Sequence, residues 1–418
     1  MRQIIVIGGG AAGLFGAIAC AQSNPDNVQV TVLEAGANPL AKVKVSGGGR
    51  CNVTHACFDP DELVTHYPRG YRALRGPFRQ FQPQDTIAWF AQQGVTLKTE
   101  KDGRIFPVTD TSQTIIDCLL DAVTRHQIKL YTRSSVESVQ PVPAVLDDAS
   151  TATQSGFGVQ LKSGQRMQCD RLLIATGGHP SGYRLVQSLG HTLEPPIPSL
   201  FTFNIADDDL TALAGVTIGT VRAQLDVPGA KPLQQQGPLL ITHWGMSGPV
   251  ILKLSAWGAR LLHDCHYQAK LRVHWLATLT QDEVRQTLLT AKNTWCRKAI
   301  ATACPVGLPR RFWRYIIRRS NITDHMRWAD LSKPLLHQLV QTLTQDKYII
   351  SGKGVFKEEF VKCGGVRLKD VNLNTMASRR CPGLFFAGEI LDIDGVTGGF
   401  NFQNAWTTGW LAGQALGH

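Results

Sequence analysis

The chain lacks most features of secreted, membrane-spanning or metal-dependent proteins. Its ten cysteines form no CxxC pair and its 12 histidines form no HxxxH or HxH pattern, so we predict neither a disulfide framework nor a metal site. No apolar run approaches the length of a membrane span, and the first residues show no basic and apolar leader pattern. These absences predict a cytoplasmic protein with reduced thiols, no bound metal and no membrane partner.

Chain length and net charge indicate the number of domains and the kind of partner. The chain has 418 residues, of which 43% are hydrophobic, and this is enough for about two to three domains. The formal net charge is +11 and the sequence pI is about 9.2. Such a basic balance favours an anionic partner without naming one.

Residues 3–34 have the pattern of a nucleotide-binding βαβ unit. The strand "QIIVI" is followed by Gly8, Gly10 and Gly13 at GxGxxG spacing, then by a helix and by a second strand that ends in Glu34. Such glycines allow a tight turn, a close approach of pyrophosphate to the backbone, and close helix–strand packing. The acid suits ribose hydroxyls and disfavours the 2′-phosphate of NADP. NAD and FAD both remain open on this motif.

A second glycine-rich region lies near the other end of the chain. The segment "PGLFFAGEILDIDGVTGGFNFQNAW" contains a buried strand ending at Gly388 and Glu389, a glycine turn, and a helix in which Ala405, Gly409 and Gly413 are four residues apart. In mid-chain, "DRLLIATGGHP" is a further strand that ends in a Thr-Gly-Gly turn. An NAD site needs no such elements, whereas the longer FAD does. A packed helix without a ligand is the structural alternative.

These pieces together resemble the BaiN/RdsA-like flavoproteins, also called the aminoacetone-oxidase-like FAD family. The resemblance rests on "GGGAAGLFGAIACA", "KVKVSGGGRCNVT", "GPLLITHWGMSGPVIL", "CGGVRLKDVNLNTMASR" and the C-terminal segment quoted above, which together span nearly the whole chain. One departure is the short "HPSGY" turn after "ATGG", where family members often have a longer Ser/Gly-rich turn.

The resemblance implies a bound FAD with the SGGGRCN loop lying along it. In that arrangement Arg50 would neutralise a phosphate or the reduced flavin, and Asn52 would bond the flavin ring. The predicted cofactor-binding residues are Gly8, Gly10, Ala12, Gly13, Glu34, Lys42, Gly47, Gly48, Gly49, Arg50, Asn52, Thr176, Gly177, Gly388, Glu389, Asp394, Gly398, Gly399, Phe400 and Asn401.

The resemblance also implies that the "GPLLITHWGMSGPVIL" loop approaches the flavin. His243 is then the first candidate for a proton donor, since its charge can change near neutral pH; a hydrogen-bonded structural histidine is an equal alternative. Cys51 is a second candidate and Arg50 a third. No second GxGxxG opens a helix, so NAD(P)H would bind transiently, or electrons would come from a partner or the substrate.

The predicted fold class is α/β, with a Rossmann-like FAD-binding domain of the two-motif flavoprotein type interrupted by an insert. Residues 1–194 and 351–418 are predicted to form the FAD-binding domain. Short alternating apolar runs predict a β-barrel-like insert over 195–275, and helical patterns predict a helical insert over 276–350. Residues 141–156 are predicted to be a loop between two strands.

A basic stretch bears on the substrate. From Val284 to Thr323 there are nine Arg or Lys residues and no Asp or Glu. This pattern fits either a solvated helix face or a nucleic-acid backbone site, whose candidate residues are Arg310, Arg311, Arg314, Arg318 and Arg319.

Family members reduce a conjugated double bond in a steroid, oxidise a small amine, or reduce uridine to dihydrouridine in ribosomal RNA. The basic stretch favours ribosomal RNA as the partner of this chain. A small-molecule substrate, acted on by an enone reductase or an amine oxidase, is the alternative. A flavin-stabilised RNA-binding protein without turnover is an alternative of another class.

Overall fold

A computed structural model describes residues 1–142, 156–354 and 361–418. Most of the loop predicted at 141–156 therefore lies outside the described residues. Within them, no helix has both the length and the apolar character needed to cross a membrane.

The described residues form strands and helices that alternate along much of the chain. The strands are β1 Arg2–Ile7, β2 Val28–Leu33, β3 Thr54–His55, β4 Leu97–Thr99, β5 Arg104–Pro107, β6 Lys129–Tyr131, β7 Val136–Val142, β8 Gly156–Leu161, β9 Arg166–Cys169, β10 Arg171–Ile174, β11 Leu193–Ser199, β12 Phe203–Ile205, β13 Thr217–Asp226, β14 Leu233–Thr242, β15 Gly245–Ser247, β16 Ala269–His274, β17 Asp346–Lys353, β18 Val361–Val366, β19 Val371–Asn372, β20 Ala377–Ser378 and β21 Leu384–Phe386. The helices are α1 Ala11–Ser23, α2 Ala41–Gly49, α3 Pro60–Leu63, α4 Tyr71–Gln80, α5 Pro83–Gln92, α6 Gln113–Arg125, α7 Pro180–Ser188, α8 Asp208–Thr211, α9 Pro249–Trp257, α10 Ala259–Asp264, α11 Gln281–Thr294, α12 Arg310–Arg319, α13 Lys333–Gln345 and α14 Phe400–Gly417.

The chain divides into two compact units. The first comprises Met1–Ile197 and Phe360–His418, and the second comprises Pro198–Glu359. The chain thus leaves the first unit and returns to it, which is the arrangement expected of a domain that carries an insert.

The first unit is built on a seven-stranded sheet in the order β19-β20-β21-β10-β1-β2-β6. Strand β1 lies between β10 and β2 and is parallel to both. Its residues Ile4 to Ile7 are all buried, as expected for a central strand covered on both faces. The carboxyl ends of β1, β2, β10 and β21 therefore lie at one edge of the sheet, and the glycine turns follow these ends.

Helices α1 and α14 pack with their backbones unusually close. A Cβ on Gly409 would lie 2.7 Å from the Ala12 carbonyl oxygen, and one on Gly413 would lie 2.4 Å from the Gly16 carbonyl oxygen. The small residues four apart in the C-terminal helix are therefore needed for its contact with the first helix, one of the two partners that the sequence left open.

The second unit contains a closed six-stranded barrel in the order β12-β15-β14-β13-β16-β17. Its core continues into the segment between β16 and β17, where the fully buried side chains include Trp275, Phe312, Trp313 and Trp328. Strand β17 pairs with both β12 and β16. The last strand of the barrel, β17, therefore follows the helices in the chain. The sequence had suggested a barrel range of 195–275, which ends before these helices.

The predicted α/β fold class, with a Rossmann-like domain and a barrel-containing insert, is confirmed.

Candidate functional site

The turn after β1 has the geometry that its three spaced glycines predict. Gly8 has a φ of 110°, and a Cβ there would lie 2.5 Å from the Ala175 carbonyl oxygen; a Cβ on Gly13 would lie 1.9 Å from the Gly8 carbonyl oxygen. A Cβ on Gly10 would meet no atom within 4 Å. Gly10 precedes α1 without a capping side chain. The helix N-terminus therefore faces open space, where a phosphate can approach its N–H groups.

Glu34 lies beside this turn. Its carboxylate accepts hydrogen bonds from the backbone N–H of Gly9 at 2.7 Å and of Gly36 at 2.6 Å. The acid at the end of β2 is thus held against the glycine turn, the position in which ribose hydroxyls are bound in this type of fold.

The SGGGRCN segment forms a turn with left-handed backbone at the end of α2. The helix is interrupted at Ser46, and Gly47, Gly48 and Gly49 have φ values of 56°, 70° and 85°. A Cβ on Gly48 or Gly49 would meet nothing within 4 Å. These two glycines border open space, and their backbone is accessible to a ligand.

The Arg50 side chain is held by neighbouring protein groups. Its guanidinium donates to Glu100 at 2.7 Å and to Asp110 at 3.4 Å, and it lies 4.0 Å from the centre of the Phe106 ring. The hydrogen bond to Glu100 raises the pKa of the guanidinium further. Two carboxylates already balance the charge of Arg50, which leaves less of it to neutralise a phosphate or a flavin.

Cys51 and Asn52 both lie in the interior. Burial raises the pKa of the Cys51 thiol to about 12, so the thiol is protonated at neutral pH and is a weak acid. With its amide oriented as its neighbours require, Asn52 accepts a hydrogen bond from the N–H of Gly399 at 2.9 Å and donates to the Thr54 carbonyl at 3.0 Å. Its side chain joins two loops, a role that differs from the predicted bond to the flavin ring.

The Thr-Gly-Gly turn after β10 and the acid after β21 come together. Glu389 pairs with Lys42 at 2.6 Å and accepts from the Lys362 N–H at 2.8 Å. A Cβ on Gly177 would lie 3.7 Å from the Glu389 carboxylate. The hydroxyl oxygen of Thr176 is buried and has no hydrogen-bond partner among the described residues. The oxygen faces Gly182 of α7, where an added Cβ would lie 1.8 Å from it.

Asp394 and Asn401 have structural contacts that the sequence did not indicate. Asp394 is fully buried and forms an ion pair with Arg69. The Asn401 side chain both donates to and accepts from the backbone of Gly395 at 2.8 Å. Both residues shape the glycine turn before α14, so they act as positioning residues for any ligand bound there.

Phe400, the first residue of α14, belongs to an aromatic cluster that sequence reasoning missed. Its ring stacks on His66 at 4.3 Å and on His55 at 4.7 Å between centroids. The Tyr67 hydroxyl donates to the Phe400 carbonyl at 2.6 Å. The only sequence signal was that His55 directly follows the SGGGRCNVT motif, and nothing marked His66 or Tyr67.

One group of potential metal ligands comes together among the described residues. The ligand atoms of Cys57, Glu62 and His66 all lie within 4.8 Å of one another. Burial and the nearby Glu62 carboxylate raise the pKa of the Cys57 thiol to about 11, so without an ion the thiol stays protonated. The spacing of these residues does not match a paired zinc motif. The absence of a metal stays a prediction.

The residues around the sheet edge fit a bound FAD. Open space borders Gly10, Gly48 and Gly49, and the buried Thr176 hydroxyl oxygen has no partner among the described residues. Gly388 and Gly399 have φ values of 75° and 94°, and a Cβ on Gly388 would lie 2.8 Å from the Cβ of Ala12. Four predicted cofactor residues from both ends of the chain therefore follow strands at the same edge of one sheet: Gly8, Glu34, Thr176 and Gly388.

His243 lies in the second unit, in the turn between β14 and β15. Both His243 and the neighbouring Trp244 are exposed, and the tryptophan side chain is 53% exposed. Their rings meet edge to face at 6.1 Å. These observations do not test the role of His243 as proton donor, which stays a prediction.

Several arginines of the basic helix α12 are already bound to protein groups. Arg318 pairs with Asp324 at 2.6 Å, and Arg319 pairs with Asp346 at 2.8 Å and with Asp207 at 3.2 Å. Arg311 donates to the Ala212 carbonyl at 2.8 Å. Arg310 is exposed and Arg314 half-buried. Arg310 is therefore the best placed of the five to meet a phosphate.

Comparison with known proteins extends the likeness to the whole chain. A profile of the family described as HI0933-like protein Rossmann domain matches residues 2–415. A 3-dehydro-bile acid delta(4,6)-reductase of Clostridium scindens is 31% identical, with 99% of each chain covered. A ribosomal RNA dihydrouridine synthase of Escherichia coli is 28% identical over 99% of this chain and 97% of its own.

Solved structures show the same fold at low sequence identity. A 3-ketosteroid delta1-dehydrogenase from Sterolibacterium denitrificans has a TM-score of 0.52 and 11% identity, with both chains fully covered. A 3-ketosteroid-delta4-(5alpha)-dehydrogenase from Rhodococcus jostii RHA1 has a TM-score of 0.50 and 13% identity over 100% of this chain and 97% of its own. The predicted family and its FAD cofactor are thereby confirmed: the chain belongs to the HI0933-like Rossmann-domain family and is an FAD-dependent oxidoreductase.

Proposed function

We propose that the chain reduces a carbon–carbon double bond conjugated to a carbonyl group, and that its leading substrate is uridine in large-subunit ribosomal RNA. Two relatives that match nearly its whole length are named ribosomal RNA dihydrouridine synthases. The net charge of +11 is the observation that favours RNA for this chain, since a polyanion is attracted to such a surface. The reaction would take place in the cytoplasm, where ribosomal RNA is found.

The bile acid and the uridine share one reactive unit. In both, the double bond to be reduced is conjugated with a carbonyl, so the carbon remote from the carbonyl accepts hydride and the nearer carbon accepts a proton. FAD, when bound and reduced by two electrons from a donor, would supply the hydride. We take NAD(P)H as the electron donor, binding transiently because the sequence contains no second dinucleotide motif.

The chain's own residues bind the cofactor and move the proton. The N-terminus of α1 and Glu34 hold the pyrophosphate and the adenosine ribose, and the positive end of the α14 dipole stabilises negative charge near Phe400. His243 donates the proton to the substrate carbon, because an imidazole can give up a proton at neutral pH. Cys51 is the weaker candidate, since its thiol has a pKa of about 12.

A small-molecule enone reductase is the second candidate function. It is favoured by the 31% identity to the bile acid reductase over 99% of both chains. A steroid is uncharged over most of its surface, so this function gives no role to the basic surface.

Purified protein separates the two functions. It would be reduced anaerobically with NADPH or NADH and offered either unmodified large-subunit ribosomal RNA, transcribed in vitro, or a 3-oxo-4,6-diene bile acid. We expect mass spectrometry of the digested RNA to show dihydrouridine, with the bile acid turned over more slowly. Reduction of the bile acid with unchanged RNA would instead establish the small-molecule function.

A further inference from the structure

Helix α4 of the first unit carries a second basic surface. Between Leu63 and Gln84 the sequence contains four arginines and no acid. The helix is sharply two-sided: Leu74, Pro77 and Phe78 are buried, while the opposite side is exposed. Only a side that faces solvent can meet a large ligand, and on α4 that side carries arginine.

Its arginines differ in how far protein groups already engage them. Arg69, just before the helix, is held by the buried Asp394. Arg75 makes two hydrogen bonds to the Asp61 carboxylate, whereas Arg79 lies 3.8 Å from it. The Arg72 guanidinium lies 5.4 Å from the centre of the Tyr71 ring. Arg72 and Arg79 are therefore the two arginines of α4 with the loosest attachment to acids.

A glycine, Gly76, lies between these two arginines on the exposed side of the helix. Gly76 is exposed and lies on the same side of the helix, four residues after Arg72 and three before Arg79. A Cβ there would meet only the Asn374 side-chain oxygen, at 3.8 Å. Glycine is unfavourable inside a helix by about 1 kcal/mol, and here it leaves room for a chain to lie against the helix between two positive charges.

The exposed end of the helix adds an aromatic ring. Tyr71, the first residue of α4, is 44% exposed. An exposed aromatic ring beside arginines is a typical platform for an unpaired base. A lipid headgroup or an acidic protein would satisfy the arginines but would give no particular use to the ring.

The helix is fixed to the turn that shapes the candidate cofactor site. A Cβ on Gly70 would lie 2.7 Å from the Ile393 side chain, and the Val396 N–H donates to the His66 carbonyl at 2.9 Å. Arg69 and Asp394 join the same two segments. An RNA strand bound along α4 would therefore lie beside the turn that leads into Phe400.

We propose that the exposed side of α4 binds the RNA backbone next to the reacting nucleotide, with Arg72 and Arg79 on phosphates and Tyr71 stacked on an unpaired base. This rests on the proposed RNA substrate and adds to it a contact surface within the cofactor-binding unit.

The test compares salt dependence of RNA binding in matched double variants. The protein with bound FAD would be titrated with in vitro transcribed large-subunit ribosomal RNA of E. coli over a range of salt concentrations. In Arg72→Gln with Arg79→Gln, we expect the log–log salt slope to be smaller by about 0.7 to 0.9 per arginine removed. The control, Arg125→Gln with Arg166→Gln, removes the same charge from exposed positions on α6 and β9 and should keep the wild-type slope.

A second pair of variants leaves every arginine in place. Gly76→Glu puts an acid between Arg72 and Arg79, and Gly76→Gln has the same size without the charge. Because both precede Pro77, both carry the same steric cost in the helix. We expect RNA affinity to fall at least tenfold further for glutamate than for glutamine, while bound FAD per chain remains equal.

The outcomes separate this inference from the proposed function. If wild type binds RNA with a steep salt slope and both variant sets keep it, the α4 surface is refuted while an RNA substrate survives. If wild type binds the transcript without salt dependence, or not at all, the α4 surface is refuted too, and the assay of dihydrouridine formation decides the function separately.

Discussion

Asn52 and Gly399 are 347 positions apart in the chain, and the N–H of Gly399 donates a hydrogen bond to the Asn52 side chain at 2.9 Å. This bond joins the SGGGRCN turn to the turn that begins α14. A Cβ on Gly399 would lie 2.5 Å from the Thr54 carbonyl oxygen, so the two segments are in direct backbone contact. The cofactor region is therefore assembled from opposite ends of the sequence.

Replacing Asn52 with alanine tests this connection. The Gly399 N–H would lose its partner in the interior, which costs about 1 to 3 kcal/mol. We expect urea denaturation to show a loss of that size, and the purified variant to retain less FAD. Asn27→Ala, at an exposed position, is the control and should change neither quantity. Unchanged stability in Asn52→Ala would show that this bond is unimportant.

Gly10 separates folding from cofactor binding. A side chain at this position meets no protein atom within 4 Å, and Gly10 has a φ of −84°, which any residue tolerates. We therefore expect Gly10→Leu to fold normally but to be purified without the yellow cofactor, because the side chain occupies the space of the pyrophosphate.

The matched control is Gly219→Leu, at an equally open glycine in β13, and it should stay yellow. Absorbance of the purified protein and identification of the released cofactor measure the result. A Gly10→Leu protein with full FAD content would contradict the assignment of this turn.

His191 gives the first unit a pH-dependent stability. Burial is the largest cause and lowers the pKa of His191 below its usual 6.5. The Asp370 carboxylate opposes this shift, and the Arg380 guanidinium adds to it. Because the unfolded chain then binds the proton more readily than the folded chain, this contribution to stability is present above pH 6.5 and is lost as the pH falls below it. His126 and His274 have pKa values lowered by burial in the same way.

We expect the midpoint of thermal unfolding to fall between pH 6.5 and 5, and His191→Gln to reduce that fall. Most carboxylates of folded proteins titrate below this window. A pH dependence identical in wild type and His191→Gln would exclude the histidine as a source.

The arginines of α12 should divide into two groups. Arg319 bonds Asp346 and Asp207 and lies 4.5 Å from the centre of the Tyr348 ring, so Arg319→Gln leaves a buried carboxylate with fewer donors. We expect it to lower the free energy of unfolding by about 1 to 3 kcal/mol. Arg310→Gln, at an exposed position, should leave stability unchanged and reduce the salt dependence of RNA binding. The opposite assignment of the two effects would contradict the contacts seen in the structure.

The features that could be predicted from the sequence are those that depend on a local residue pattern. The spaced glycines of the first turn and the small residues of α14 have the packing roles that their spacing indicated, because each role follows from the absence of a side chain at one position. The family resemblance predicted the cofactor for a similar reason, since three of its motifs lie in the first glycine turn, the SGGGRCN turn and the glycine turn before α14.

Pairings between distant residues were not predictable. The partners of Arg50, Asp394 and Arg319 lie far away in the sequence or on other elements, and a charged residue near a motif looks the same whether it binds a ligand or another side chain. Likewise, the alternation of apolar residues indicated the barrel but carried no information on which strand closes it.

The most direct test of the RNA assignment is complementation. The chain would be expressed in an E. coli strain that lacks its own ribosomal RNA dihydrouridine synthase, and dihydrouridine would be mapped in the large-subunit ribosomal RNA. We predict that the modification is restored by the wild-type chain and not by Gly10→Leu. If the wild-type protein accumulates with its FAD bound and the uridine stays unmodified, the proposed RNA substrate is wrong.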